Sequence, residues 1–265
     1  MKKRKWFILG GTLILVLVLV MLKSPLLSVN LVTIKINQAS CINEESLRKE
    51  LILEGRNILF LNEENLSKTI YAKYLCVKKL TLQRSFPNNI QVQVEGKIAF
   101  AKLIPLENIT FSNLKELEAT PSSSSALVNW SFPTIDKNTG FLVDKDGSIF
   151  AQNFESNLPT IFMAEPDLKL GKNLNKDDFN KVATIFEKIF STDLNFNRTQ
   201  LVSNYLMVET SPKLIFSLNH DIAHQLASLQ LILEKAKIDE RMISQVDLRF
   251  EKPVVVYTAK NNGKR

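Results

Sequence analysis

Leu31-Val-Thr-Ile-Lys-Ile36 alternates apolar and polar residues, the pattern of a half-buried strand. Two helical segments follow it. Asn43 is placed to cap the first, with Glu44 and Glu45 in the opening turn, Leu47, Leu51 and Ile52 at helical spacing, and Gly55 as the stop. After the apolar connector Asn57-Ile-Leu-Phe-Leu61, Asn62 caps a second helix. Glu63 and Glu64 occupy its first turn, and Leu66, Ile70 and Tyr74 share one face. Cys76 to Arg84 and Ile90 to Val94 alternate again, on either side of the turn-forming cluster Phe86-Pro-Asn-Asn89. The order strand, helix, helix, strand, strand predicts one compact domain, and the fold class is α+β.

Upstream, Lys2-Lys3-Arg4-Lys5 precedes Trp6 to Leu22, seventeen uncharged positions rich in Leu, Val, Ile and Met. At a rise of about 1.5 Å per residue this run makes roughly 25 Å of helix, near the lower limit for crossing a bilayer. Pro25, Leu26 and Leu27 extend it, with Lys23 reaching back to the head groups. The expectation is a cytoplasmic tail at 1–5, a transmembrane helix at 6–27, and everything from about Val29 outside the cytoplasm. A cleavable signal peptide is the rival. The run is longer than a typical signal core, and no small-x-small cleavage pattern follows it, so an anchor is expected.

The formal charge of +7 reflects the same topology. Five Lys and Arg and no Asp or Glu fall in the first thirty residues, which leaves 29 basic against 27 acidic residues in the rest. A balance of +2 describes an ordinary surface and gives no sign of a nucleic-acid partner. Cys41 and Cys76 are too few for a disulfide-stapled scaffold. They either pair outside the cytoplasm or stand as two separate thiols.

Beyond the first domain, expected at 29–103, residues 104–130 lose apolar periodicity and include Ser122 to Ser125 after Pro121, which reads as a loop or insertion. A mainly β domain is expected over 131–259. Its first feature is a hairpin, Phe141 to Phe150, turning at Asp146-Gly147. Asp144 and Asp146 also match the first two ligands of a calcium loop, but no Glu follows at the right offset, so the turn is preferred. Asp177 to Phe190 is a helix with Phe179, Val182, Ile185, Phe186 and Ile189 inward. Tyr205–Glu209 and Lys213–Leu218 read as strands. Ile222 to Lys237 reads as a helix with Leu226, Leu229, Leu233 and Ala236 on one face. Ile243 to Phe250 and Val254 to Thr258 close the domain, and residues 260–265 form a polar tail.

His220-Asp221-Ile-Ala-His224 is the one constellation that suggests an enzyme. Two His four apart on a helix with an acidic residue between them resemble a zinc-protease motif, and the alternative function is an anchored zinc hydrolase using His220 and His224. Asp221 is shorter than the usual Glu, the chain has no third His, and Asn219 or Asp221 is a natural helix cap. No nucleophile set or phosphate loop stands out elsewhere. The expectation is a non-enzymatic protein without metal or cofactor.

These residues resemble the FtsQ/DivIB family of bacterial cell-division proteins, in which a POTRA domain follows a single anchor. The resemblance rests on Gly55-Arg-Asn57-Ile58-Leu59, on Val77, Arg84 and Pro87, and on Val92-Gln-Val94-Glu-Gly96-Lys97-Ile-Ala99-Phe-Ala101. It continues through Leu158-Pro159-Thr-Ile161 and is most specific at Ile243-Ser-Gln-Val246-Asp247-Leu248-Arg249-Phe250. Gly96 stands where the family usually has Glu, and Ala99 where it often has Pro; Glu107 to Trp130 is unmatched. The resemblance implies a divisome assembly protein at the septum that binds FtsB/DivIC-like and FtsL-like partners through its last strands. Arg249, Phe250, Val254, Val255, Val256, Tyr257 and Thr258 are the expected contact residues, each with the competing role of completing the sheet and core. A last strand with one open edge can accept an added strand, and Pro253, which has no N–H, suits the start of such an edge.

Overall fold

The computed structural model describes residues 25–39, 41–106, 140–152, 157–164, 167–192, 194–196 and 198–258. They form two units, divided between Lys97 and Ile98. The expected anchor lies outside the described residues except for Pro25–Leu27, a single 3-10 turn. No helix among the described residues is long and apolar enough to cross a membrane.

The first unit follows the expected order. Strand β1 (Leu31–Asn37) is followed by α1 (Glu44–Leu51), α2 (Glu63–Lys73), β2 (Val77–Ser85) and β3 (Asn89–Gly96). The sheet order is β1-β3-β2, with β1 parallel to β3 and β2 antiparallel to it. The two helices carry the chain from β1 to β2 on the far edge, and the β2–β3 turn then returns β3 to the centre, parallel to β1. Central β3 buries Ile90, Val92 and Val94 at 1% exposure or less, and Leu47, Ile58 and Ile70 are fully buried with them. Full burial of each such side chain is worth about 1.5–3 kcal/mol, so this cluster is the main source of the unit's stability.

Both helices begin as the sequence predicts: Asn43 Oδ1 accepts from Ser46 N at 2.8 Å, and Asn62 Oδ1 from Asn65 N at 3.2 Å. The first helix stops earlier than Gly55. Ile52 takes a left-handed conformation at φ 43°, and its N–H closes on Arg48 O. Gly55, at φ 78°, then turns the chain so that its N–H donates to Val29 O. Cys41 and Cys76 are joined as a disulfide with Cα atoms 6.2 Å apart, so the reading as two separate thiols is set aside.

Gly96 has a steric reason for departing from the family pattern. A Cβ there would lie 2.1 Å from Gln38 O and 2.6 Å from Ala39 Cα, both backbone atoms. Gly96→Ala is expected to lower the unfolding free energy by about 1–3 kcal/mol, read from urea unfolding of the chain in detergent. The disulfide spans 35 residues, and its replacement by Cys41→Ser with Cys76→Ser is expected to cost about 3–4 kcal/mol by loop-closure entropy in the same measurement.

The second unit corrects the domain boundary. Strand β4 (Ala101–Pro105) is no tail of the first domain: it lies between β7 (Thr160–Met163) and β5 (Phe141–Val143) in a nine-stranded sheet. Expected limits at 103 and 131 therefore give way to a division at Lys97/Ile98, because β4 finds its backbone partners in the second sheet. Ile104 and Pro105 end that strand, while the unmatched stretch at 107–130 lies outside the described residues. The remaining elements are β6 (Ile149–Gln152), α3 (Lys176–Phe190), β8 (Arg198–Val202), β9 (Tyr205–Val208), β10 (Lys213–Ser217), α4 (Ile222–Ile238), β11 (Ile243–Asp247) and β12 (Val254–Tyr257).

The sheet runs β12-β11-β10-β9-β8-β7-β4-β5-β6. Helix α3 carries the chain from β7 to its parallel neighbour β8, and α4 from β10 to parallel β11. Phe179, Val182, Ile185, Phe186 and Ile189 of α3 join Leu226 and Leu229 of α4 in one buried cluster with the inward residues of the strands. Gln225 fixes the docking of α4: its Oε1 accepts from Ser217 N at 2.9 Å and its Nε2 donates to Ser217 O at 2.8 Å. The expected hairpin is present, with Asp144 Oδ1 accepting from the N–H groups of Asp146 and Ser148 and Gly147 at φ 79°.

Candidate functional site

The last two strands form a hairpin whose inner side is fully accounted for. Val254, Val255 and Val256 stand opposite Asp247, Val246 and Gln245, with an irregularity confined to β11 between Ile243 and Gln245. Thr258 N donates to Met242 O at 2.8 Å, and Ser244 Oγ donates to Val256 O at 3.1 Å. On the far side of β11, Leu248 N donates to Ile215 O at 2.8 Å. Backbone groups alternate in direction along a strand, so Val254, Val256 and Thr258 address β11, and Pro253, Val255 and Tyr257 address the other side.

That other side is open. Strand β12 ends the sheet, and among the described residues no strand pairs with its outer edge. The edge offers the N–H groups of Val255 and Tyr257 and the carbonyls of Pro253, Val255 and Tyr257; Pro253 lacks a donor at the position where the edge begins. Val255 packs against the core cluster, so its backbone is held in place while its outer groups remain available. Val254 and Val256 are half-buried, Thr258 is exposed, and Tyr257 is 44% exposed. The Arg241 guanidinium lies 5.5 Å from the Tyr257 ring centroid, which gives the edge an aromatic and cationic end that the sequence reading did not single out.

Arg249 has a different place from the one expected. Its side chain is 5% exposed, as is that of Asp247. Arg249 Nε lies 2.9 Å from Asp247 Oδ1 and Nη2 lies 2.6 Å from Oδ2, a forked pair, and Asp247 Oδ1 also accepts from Arg249 N at 3.1 Å. The guanidinium carbon is 5.4 Å from the Tyr205 ring centroid and 5.1 Å from that of half-buried Phe250. Arg249 thus ties the β11–β12 connection to β9 from inside the fold, and the surface of the hairpin belongs to β12. The pattern Asp247-Leu248-Arg249 carried this signal, since residues two apart at a strand end can fork together.

The histidine constellation is a helix entry. Asp221 caps α4, its Oδ1 accepting from Ala223 N at 2.8 Å and from His224 N at 3.5 Å. His220 precedes the cap and His224 lies in the first turn, both exposed, so the two imidazoles do not share a helical face as the zinc reading requires. Among the described residues no three His, Cys, Asp or Glu gather as a metal site.

Two helices carry the chain from β1 to β2 at the opposite edge of the sheet, and an antiparallel β2–β3 hairpin then sets β3 parallel to β1 between them; this is the arrangement of a POTRA domain, and residues 29–95 match the model of that domain. The type is that described as "POTRA domain, FtsQ-type", which supports the FtsQ/DivIB family for this chain and with it a role in bacterial cell division. The second unit lies outside the matched residues. No curated protein matches the chain.

Removing one member of a buried ion pair leaves the other charged and unsatisfied. Arg249→Ala is therefore expected to destabilise the second unit by about 3–5 kcal/mol, read as a shifted urea midpoint. Arg249→Lys recovers only part of this, because an ammonium cannot reproduce the fork.

Proposed function

We propose that this chain is a membrane-anchored, non-enzymatic assembly protein of the divisome, required for septum formation. It binds an FtsB/DivIC–FtsL-type complex outside the membrane by adding a strand of that partner to the open edge of β12. The observation that carries the reading is that edge: a valine-rich strand at the end of a nine-stranded sheet, with the donors of Val255 and Tyr257 directed away from β11. Strand addition draws its affinity from such backbone groups and its specificity from the side chains beside them. Val254, Val255, Val256, Tyr257 and Thr258 form the contact, and Arg249 and Phe250 hold its geometry.

Two further features support the location. Trp6 to Leu27, with the cluster Lys2-Lys3-Arg4-Lys5 on its N-terminal side and the single Lys23 near its other end, serves as a single anchor that leaves the bulk of the chain outside the cytoplasm. The Cys41–Cys76 disulfide suits an oxidising compartment. The FtsQ-type POTRA domain supports residence at the septum.

The test is binding of the chain to the host's FtsB-like coiled-coil protein. Val255→Pro removes an outward donor without touching the pairs to β11 and is expected to weaken binding by about tenfold or more, whereas Val255→Ala, which keeps the N–H, weakens it less. Failure of the well-folded wild-type chain to bind overturns the reading.

A further inference from the structure

Four of the seven large apolar residues exposed among the described residues of the POTRA unit lie on segments gathered at one end of it. Leu26 is 67% exposed, Leu59 39%, Phe60 70% and Phe86 61%. Backbone hydrogen bonds gather the segments that carry them at one end of the unit. Ile58 N donates to Leu27 O and Val29 N to Arg56 O, both at 2.9 Å, which places the 56–60 connector beside the incoming chain. Asn30 N donates to Asn88 O at 2.9 Å, which brings in the β2–β3 turn holding Phe86. Arg84 Nη2 donates to Leu61 O at 2.6 Å and links that turn to the connector. The opposite end of the sheet, where Asn37 pairs with Glu95, carries none of these side chains.

This end is where the chain arrives from its apolar N-terminal run. Leu26 stands four residues past Leu22, a reach of at most about 14 Å. A patch of apolar side chains that surrounds such a point of entry faces the bilayer before it can face anything else. Exposed Arg56 and Arg84 flank the patch and suit anionic head groups, while Glu63 and Glu64, in the first turn of α2, limit how deeply it can sink. Resting on the anchored reading proposed above, we infer that Leu26, Leu59, Phe60 and Phe86 form a membrane-seating surface. The connector and the β2–β3 turn dip into the interfacial layer, at the boundary of head groups and acyl chains, and hold the POTRA domain in one orientation to the bilayer.

The test uses the full chain in vesicles of phosphatidylcholine and phosphatidylglycerol, with single tryptophans read by lipids brominated near the head-group end of the acyl chain. The chain's own tryptophans are Trp6 and Trp130. Trp130→Phe leaves Trp6 to report the anchor. In a background of Trp6→Phe and Trp130→Phe, Phe60→Trp and Phe86→Trp report the surface, and Lys78→Trp, at the other end of β2, serves as reference. The expected result is strong loss of emission at positions 60 and 86 and little at 78. Quenching of Trp6 with no more loss at 60 and 86 than at 78 overturns the seating, leaves the anchor standing, and assigns the patch to a protein partner. Absence of quenching at Trp6 as well overturns the anchored reading and the seating with it.

Discussion

The Asp247–Arg249 pair is held out of water with each side chain 5% exposed, and the placing of β12, the last strand of the sheet, depends on it. Two charges buried at this depth persist only when geometry compensates desolvation, and here Nε and Nη2 of the guanidinium and the Arg249 backbone N–H all converge on one carboxylate. The fork closes the segment between β11 and β12, so β12 returns in register, with Val254 opposite Asp247 itself. The tilt of the guanidinium toward Tyr205 carries the constraint two strands further, since Tyr205 pairs with Ser217 of β10. Ser217 is in turn gripped at both backbone groups by Gln225 of α4. Hairpin, sheet and helix are thus joined through buried polar contacts, and these support the strand that carries the outer edge of the sheet.

Much of this was legible because it is local. Alternation in Leu31–Ile36 and Ile90–Val94, the capping residues Asn43 and Asn62, and the Asp146-Gly147 turn each declare themselves within a few residues and appear where expected, and of the two caps the sequence offers for α4, Asn219 and Asp221, it is Asp221 that serves. The failures are non-local. Residues 101–103 were placed at the end of the first domain and 104–105 in the loop after it, and nothing in these five residues says which sheet will accept them. Strand β8 was missed for a similar reason: its residues are nearly all buried, so the alternation that marks a one-sided strand is absent. Arg249 was expected at the partner contact with completion of the sheet and core as its competing role, and its forked geometry with Asp247 places it inside.

Gly96 illustrates how a departure from a family pattern can be compensated within the chain. Gln38 follows β1 at φ 57°, and this left-handed turn brings its carbonyl to within 2.1 Å of where a Cβ on residue 96 would sit. A Glu could not occupy that position beside this turn, so the two residues form one local solution: a close backbone approach just ahead of the disulfide that ties Cys41 to Cys76. Gly96 N–H and C=O remain in the sheet, opposite Val77.

Strands β1 and β12 both end their sheets, and their differences argue for which one meets a partner. Alternation directs the backbone of Val32, Ile34 and Ile36 to the outer side of β1, but Arg48 Nη2 lies 3.0 Å from Val32 O and occupies part of it. Glu44 and Glu54 hold that guanidinium, raising its pKa above the ordinary value first through the Glu44 hydrogen bond. The N-terminal approach to β1 is closed as well, by the exchange between Val29 and the turn at Gly55 and Arg56. A charged side chain laid across an edge and a segment folded over its start are the devices by which proteins keep strands from pairing outward. Strand β12 uses a milder protection: four residues in length, a proline before it, and no charge within it. An edge so short resists indiscriminate pairing, yet its aligned Val255 and Tyr257 donors remain open to a strand that also fits the valine and tyrosine side chains. Protection of β1 and exposure of β12 are therefore opposite settings of the same constraint, and a selective strand-adding partner is accommodated by the second.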